Sequence, residues 1–314
     1  MMIKVKKLSL VLVLVSLCAW FLSGAVFAQE ITIGFAMKTL TNPFFIMMEE
    51  GVRRAEKELG VKVIVQAAEE ETSIEQLVGI VENMITRSDI DAICVTPSGS
   101  TEIIPAFLKA RDAKKPIIDV DVELDQEAAK QAGLEYYYVG ADNFEGGYLA
   151  GKALAEALGG QGKVAILEGI PGVDNGEKRK GGALKAFSEY PGIKVVASQT
   201  ANWKTEEALN VFTNILQAHP DLNGVFCAND MMAFGAINAI ESAGKAGQVI
   251  VTSYDALDAA KVAIKNGSML SSVDQRPDLM GYYAVKFAVD LLQGKEVPNR
   301  YMVPLTNVTK DFLE

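Results

Sequence analysis

Short apolar runs rich in β-branched residues alternate along this chain with longer stretches whose apolar positions recur at helical spacing. ITIGFAM at 31–37 reads as a strand, and PFFIMMEEGVRRAEKELG follows with helical periodicity and a stop at Gly60. VKVIVQA, SIEQLVGIVENMITR, DAICVTP, a helix through FLKARDA, KPIIDVD and YYYVGAD continue the alternation. From Lys163 the order begins again with KVAILEG, GALKAFSEY, IKVVASQ, EEALNVFTNILQAH, GVFCAND, MAFGAINAIESAG and QVIVTSYD. Strands that alternate with helices in this way build parallel sheets with helices on both faces.

The two halves keep step. Ile33 and Ala165, in the first strand of each half, are 132 residues apart; Thr96 and Asn229 are 133 apart; Asp121 and Asp255 are 134 apart. So small a drift predicts an α/β fold of two similar doubly wound parallel-sheet lobes, each of about 120–130 residues.

Charge and composition narrow the function. With 30 Lys and Arg against 40 Asp and Glu the formal charge is −10. That argues against a nucleic-acid partner, because neutralising phosphates needs a basic face. One His and three scattered Cys leave no metal-ligand cluster and no Cys–His catalytic pair. His219 stands before Pro220 and reads as a surface residue at a helix end; Cys94 and Cys227 lie in strand-like runs and read as buried free thiols. At the N-terminus MMIKVKK carries three Lys and no acid, and Leu8 to Leu22 carries no charge. Val26-Phe27-Ala28 offers small or β-branched residues where a signal peptidase reads. Residues 1–28 are therefore read as a cleavable secretory signal. The alternative is a retained anchor, since Leu8 to Ala28 is 21 uncharged residues. Cleavage after Ala28 leaves an exported protein with 27 basic and 40 acidic residues.

In open α/β sheets ligands sit beyond the carboxyl ends of the strands. That rule selects Lys38 and Asn42 after the first strand, Thr96 and Ser98 after the third, and Asp121 after the fourth. In the second half it selects Arg179, Trp203, Asn229 and Tyr254-Asp255. Each has a structural reading too. Thr41-Asn42-Pro43 is a helix cap followed by Pro at the first helical position. Phe44 and Phe45 suit a core, the two Asp suit turns, Trp203 suits packing, and Arg179 sits in a basic trio. Their joint occurrence at strand ends in both halves favours a cleft between lobes. Enzyme motifs do not appear: there is no G-x-G-x-x-G, no G-x-x-x-x-G-K-[ST] and no G-x-S-x-G. No catalytic residue, cofactor or metal is expected.

The run KTLTNPFF, the Asp closing PIIDVD, the stretch GGQGKVAILEGIPG with GEKRKGG, then VVASQTANW, AHPDLNGVFCANDMMAFGA and SSVDQRPDLMG resemble the periplasmic sugar-binding proteins of the ribose and allose group. The resemblance spans nearly the whole exported chain in order. It implies a type I periplasmic binding protein fold, with two lobes joined by a three-stranded hinge, a sugar enclosed between them, and delivery to the permease of an ABC importer. The expected lobes are 29–141 with 276–304, and 142–275 with 305–314. The resemblance also implies roles. Asn42, Phe44 and Phe45 match an element that bonds a hydroxyl and stacks on the ring; Asp121 matches the first-lobe carboxylate. Arg179, Trp203, Asn229, Asp255 and Gln275 match second-lobe contacts, with Gly182 as the glycine that follows the arginine.

Lys38 and Arg179 against Asp121 and Asp255 make a pocket without net formal charge, which suits a neutral ligand. Lys38 looks like the allose branch, while Thr96 and Val122 depart from ribose binders, leaving an allose-like hexose, another pentose or a polyol. A sensor that presents a sugar to a chemoreceptor or sensor kinase is the alternative. A lactose-repressor-type regulator is disfavoured because a signal peptide stands where a DNA-binding headpiece would be. The protein is expected to be a periplasmic monomer.

Overall fold

A computed structural model describes residues 30–314, and the signal-peptide reading of 1–28 lies outside them. In the first half β1 (Thr32–Met37), β2 (Lys62–Ala67), β3 (Ala92–Val95), β4 (Ile117–Val120) and β5 (Tyr137–Gly140) alternate with helices. The helices are α1 (Pro43–Leu59), α2 (Ile74–Thr86), α3 (Ile104–Asp112) and the short α4 (Gln126–Gln131). After α5 (Asn143–Ala157) the pattern repeats with β6 (Gln161–Glu168), α6 (Asp174–Ser188), β7 (Gly192–Thr200), α7 (Thr205–Ala218) and β8 (Gly224–Cys227). Then come α8 (Asp230–Ser242), β9 (Ile250–Tyr254), α9 (Asp258–Asn266) and β10 (Ser271–Asp274). The chain closes with α10 (Pro277–Leu292), β11 (Arg300–Met302), β12 (Thr306–Thr309) and α11 (Lys310–Leu313).

The strands form two six-stranded sheets, ordered β11-β5-β4-β3-β1-β2 and β12-β10-β9-β8-β6-β7. Pairing is parallel throughout except between β10 and β12. Helices cover both faces, so β1, β3, β4 and β8 are buried at every position. The repeat seen in the sequence is also a repeat of register: Ile33 faces Ala92 in one sheet, and Ala165 faces Val225 in the other. The chain passes between sheets three times, from β5 to β6, from β10 to β11 and from β11 to β12.

Several elements lie outside the runs that periodicity picked out, for a physical reason. Helix α5 packs on α6 through glycine rather than through apolar side chains. A Cβ at Gly147 would fall 2.1 Å from the Arg179 carbonyl oxygen, and one at Gly182 would fall 2.0 Å from that of Phe144. Gly151 is a third such residue, its Cβ position 2.8 Å from Ala183 Cα; side chains at these positions would bar so close an approach, and the approach sets where α6 carries Arg179. β10 is SSVD and β11 is three residues, so neither shows an apolar alternation. Cys94 and Cys227 are buried free thiols on β3 and β8, and burial pushes both up. Among the described residues no helix is long and apolar enough to cross a membrane.

Candidate functional site

The carboxyl ends of the two sheets and the helix starts that follow them meet around one small cavity with about 20 Å3 of free space. That is more than tenfold below the roughly 300–1,000 Å3 of pockets for drug-sized ligands, so the side chains of the two halves nearly fill the space between them. Ten of the side chains singled out in the sequence line it: Lys38, Asn42, Phe44, Phe45 and Asp121 from one side, and Arg179, Trp203, Asn229, Asp255 and Gln275 from the other; Thr96, Ser98 and Tyr254 do not. Glu71 and Asn175 complete the lining, and sequence reasoning missed both. Each had a signal. Glu71 lies beyond the carboxyl end of β2, and Asn175 is in the first turn of the helix that carries Arg179.

On the first-sheet side Asn42 caps α1, its Oδ1 accepting from the Phe44 backbone N–H at 3.0 Å while its Nδ2 donates to Glu71 Oε1 at 2.9 Å. Cap and site are thus one residue. Phe44 and Phe45 follow in the first turn, edge to face at 5.0 Å between centroids. Lys38 Nζ stands 3.2 Å from Glu71 Oε2, 3.8 Å from Asp121 Oδ2 and 5.2 Å from the Phe45 ring centroid. Thr96 is not in the cavity lining. Its hydroxyl accepts the Lys38 backbone N–H at 2.9 Å, so it holds the end of β1.

The second-sheet side is built around Arg179. Its Nε donates to Asn143 Oδ1 at 2.8 Å and one terminal nitrogen to the Ala228 carbonyl at 3.0 Å. The guanidinium lies 3.8 Å from the centroid of Tyr254 and 5.5 Å from that of Trp203, and 3.8 Å from Asp255 Oδ1. It is no member of a solvated trio, being 3% exposed. Gln275 Nε2 donates to Asp255 Oδ1 at 2.7 Å, and Asn229 caps α8 through a bond from the Met232 N–H at 2.9 Å.

Three of the lining residues hold their backbones in the left-handed region: Asp121 at φ +70°, Trp203 at +67° and Asp255 at +110°. Such conformations cost energy for residues other than Gly and persist where surrounding structure enforces them. Asp121 sits in a γ-turn closed from the Val122 N–H to the Val120 carbonyl, and the buried Tyr138 hydroxyl donates to the Asp121 carbonyl at 2.8 Å.

Glu71 changes the charge balance. The four-residue sum of two cations and two carboxylates becomes two against three, a formal −1, because a third carboxylate comes from a loop distant in sequence. Burial works against this excess. It pushes the Asp121 carboxyl up against the opposing pull of Lys38 and Arg179, and pushes Asp255 well up against Arg179.

Three buried polar atoms in this cavity have no protein partner: Asp121 Oδ1, Gln275 Oε1 and Trp203 Nε1. They come from both sheets. Contacts also bridge the two halves outside the cavity. Lys204 Nζ meets Glu70 Oε2 at 2.8 Å, Lys178 Nζ meets Glu123 Oε2 at 3.1 Å, and Ser100 Oγ accepts the Asp174 N–H at 3.1 Å.

Two α/β lobes closed over a polar, aromatic-lined cavity define the class of a cleft-binding receptor for small solutes. The chain belongs to the periplasmic binding protein family, whose domain matches residues 33–296 and implies a periplasmic location. It is 33% identical over 289 residues to a D-ribose/D-allose-binding protein of Pseudomonas aeruginosa, covering 90% of each chain. It is 34% identical over 265 residues to a D-allose-binding periplasmic protein of Escherichia coli, covering 83% of this chain and 85% of the relative. A crystal structure of an ABC transporter periplasmic solute-binding protein from Actinobacillus succinogenes with bound D-allose is 54% identical, with a TM-score of 0.87. That similarity covers 90% of this chain and 99% of the other.

Proposed function

We propose that this protein captures a neutral monosaccharide or polyol, an allose-like hexose first among them, between its lobes and delivers it to the permease of an ABC importer. The observation that carries the reading is the set of unpartnered polar atoms, Asp121 Oδ1, Gln275 Oε1 and Trp203 Nε1, buried in one small cavity. A buried polar atom without a partner is costly, and a sugar hydroxyl donates and accepts. The carboxylates and Gln275 take hydroxyl protons. Lys38, Arg179 and the Trp203 N–H serve hydroxyl oxygens, and Phe44, Phe45 and Trp203 offer rings to the C–H faces. D-allose is the first candidate because the 54%-identical structure holds it.

The lobes are 29–141 with 276–304, and 142–275 with 305–314, which fits the three passages between sheets. The protein is exported by cleavage after Ala28, acts as a monomer and performs no catalysis. A calorimetric panel of D-allose, D-ribose, other pentoses, hexoses and polyols tests the reading. At least one ligand is expected to bind at micromolar or tighter, about −8 kcal/mol or better; no binding across the panel would overturn it. Uptake of that sugar by cells lacking the protein separates import from signalling to a chemoreceptor or sensor kinase.

A further inference from the structure

Asp255 presents its carboxylate from a turn in which it and the next residue, Ala256, both have positive φ, +110° and +50°. Neither is Gly, so the turn is held against its own preference. The backbone N–H groups of Ala256 and Leu257 point away from the sheet ladder, and both are met by side chains. The Ala256 N–H donates to Ser272 Oγ at 2.9 Å; the Ser272 hydroxyl donates to Asp230 Oδ1 at 2.7 Å; and the Leu257 N–H donates to Asp230 Oδ2 at 2.8 Å. Asp230 and Ser272 are both 0% exposed, and neither lines the cavity. Burying a carboxyl is expensive, and a carboxyl spent on one N–H of a strained turn and on the hydroxyl that accepts the other needs a reason. Burial pushes Asp230 up to about 6 against the bonds from Ser272 and Leu257.

The first lobe bears a partial counterpart. Asp119, also 0% exposed, accepts the Leu124 N–H on Oδ2 at 2.9 Å, three residues after Asp121. There the left-handed residue itself is held by the Tyr138 hydroxyl on its carbonyl, and Asp119 Oδ1 has no partner. The lobes therefore brace their equivalent aspartates by different means, and only the second uses a two-residue relay.

Resting on the sugar-binding reading above, we propose that Asp230 and Ser272 are positioning residues: their buried relay holds the 255–257 turn so that the Asp255 carboxylate is aimed into the cleft.

The test is a double-mutant cycle in the full-length exported protein, read by calorimetry with D-allose. Ser272→Ala leaves the Ala256 N–H without its acceptor and is expected to weaken D-allose binding about tenfold, through an unpaired buried donor. In an Asp255→Ala background the same change is expected to alter affinity less than twofold, because the group being aimed is gone. A full tenfold effect in both backgrounds would overturn the inference. Asp230→Asn keeps an oxygen for the Leu257 N–H and is expected to retain more affinity than Asp230→Ala; if Asp230→Ala does not fold, the serine cycle still decides. Amide hydrogen exchange at Ala256 and Leu257 reads the turn with no ligand present. Ser272→Ala is expected to speed exchange at Ala256 about tenfold or more. Unchanged protection there would overturn the inference whatever the cleft binds, whereas absence of D-allose binding in the unmodified protein would count against the ligand reading alone.

Discussion

Replacing Asp121 with Asn keeps the side-chain shape and removes its charge. Asn also tolerates the left-handed backbone that Asp121 adopts at φ +70°, so the turn is expected to survive. Asp121 Oδ1 is buried and unpartnered, and Oδ2 is 3.8 Å from Lys38 Nζ. A hydroxyl bonded to a carboxylate is worth about 1.5–3 kcal/mol and one bonded to a neutral group about 0.5–1.5 kcal/mol. The difference, about 1–1.5 kcal/mol, is close to a tenfold loss of sugar affinity. The ligand-free protein should respond the other way. Burial raises this carboxyl above its ordinary 3.8 even with Lys38 and Arg179 opposing, so its charged form costs the folded state more than its partners return. With the folded value above the unfolded one, the folded chain holds the proton longer. The related stability is fully present below 3.8 and is lost as pH rises through the folded value. Asp121→Asn removes that loss. Calorimetry with the best ligand and thermal melts of the ligand-free protein at pH 5 and pH 7 are the assays. The variant is expected to bind about tenfold more weakly, to melt no lower than wild type at pH 7, and to depend less on pH between the two. Affinity within twofold of wild type would place Asp121 outside the contacts. A melting temperature lower by about 2 °C or more, on the order of 1 kcal/mol for a chain of this size, would refute the electrostatic argument.

Lys38→Ser removes the ammonium that stands between Glu71 and Asp121. The preferred sugar is expected to lose affinity while D-ribose loses less or gains, and identical ratios across the sugar panel would show that Lys38 does not select. Lys178→Met removes a bridge to the buried Glu123 without touching the cavity, while Arg300 still pairs with Glu123. Because Lys178 is 36% exposed, the bridge is worth only about 0.5–1 kcal/mol, a two- to fivefold loss of affinity by calorimetry. No loss would mean that the bridge does not favour closure. Small-angle scattering should show a smaller radius of gyration with saturating ligand than without, since half of the cavity lining comes from each side and a ligand that prefers the closed form shifts the population towards it. Binding with an unchanged radius would refute closure.

What depends on neighbours along the chain was legible before any folding. Alternating periodicity placed the core strands and the helices between them. The 132- to 134-residue steps revealed the repeat, and the rule of strand ends, joined to family resemblance, led to ten side chains that now share one cavity. These were legible because a residue just after a strand stays there whatever the rest of the chain does. Tertiary structure decided the rest. Glu71 enters the site only because the loop after β2 comes back to Lys38 and Asn42, and no local pattern states that return. The glycine-mediated contact of α5 with α6 leaves no hydrophobic stripe to read, yet it sets the position of Arg179. The positive φ of Asp121, Trp203 and Asp255 is invisible in residues that are not Gly. At the two Asp, long-range partners hold the turn: Tyr138 bonds the Asp121 carbonyl, and Ser272 and Asp230 bond the two N–H groups after Asp255. The pairing of β12 with β10 was likewise settled by where the chain could cross between the sheets, since four residues of TNVT carry too little apolar pattern to choose a partner alone.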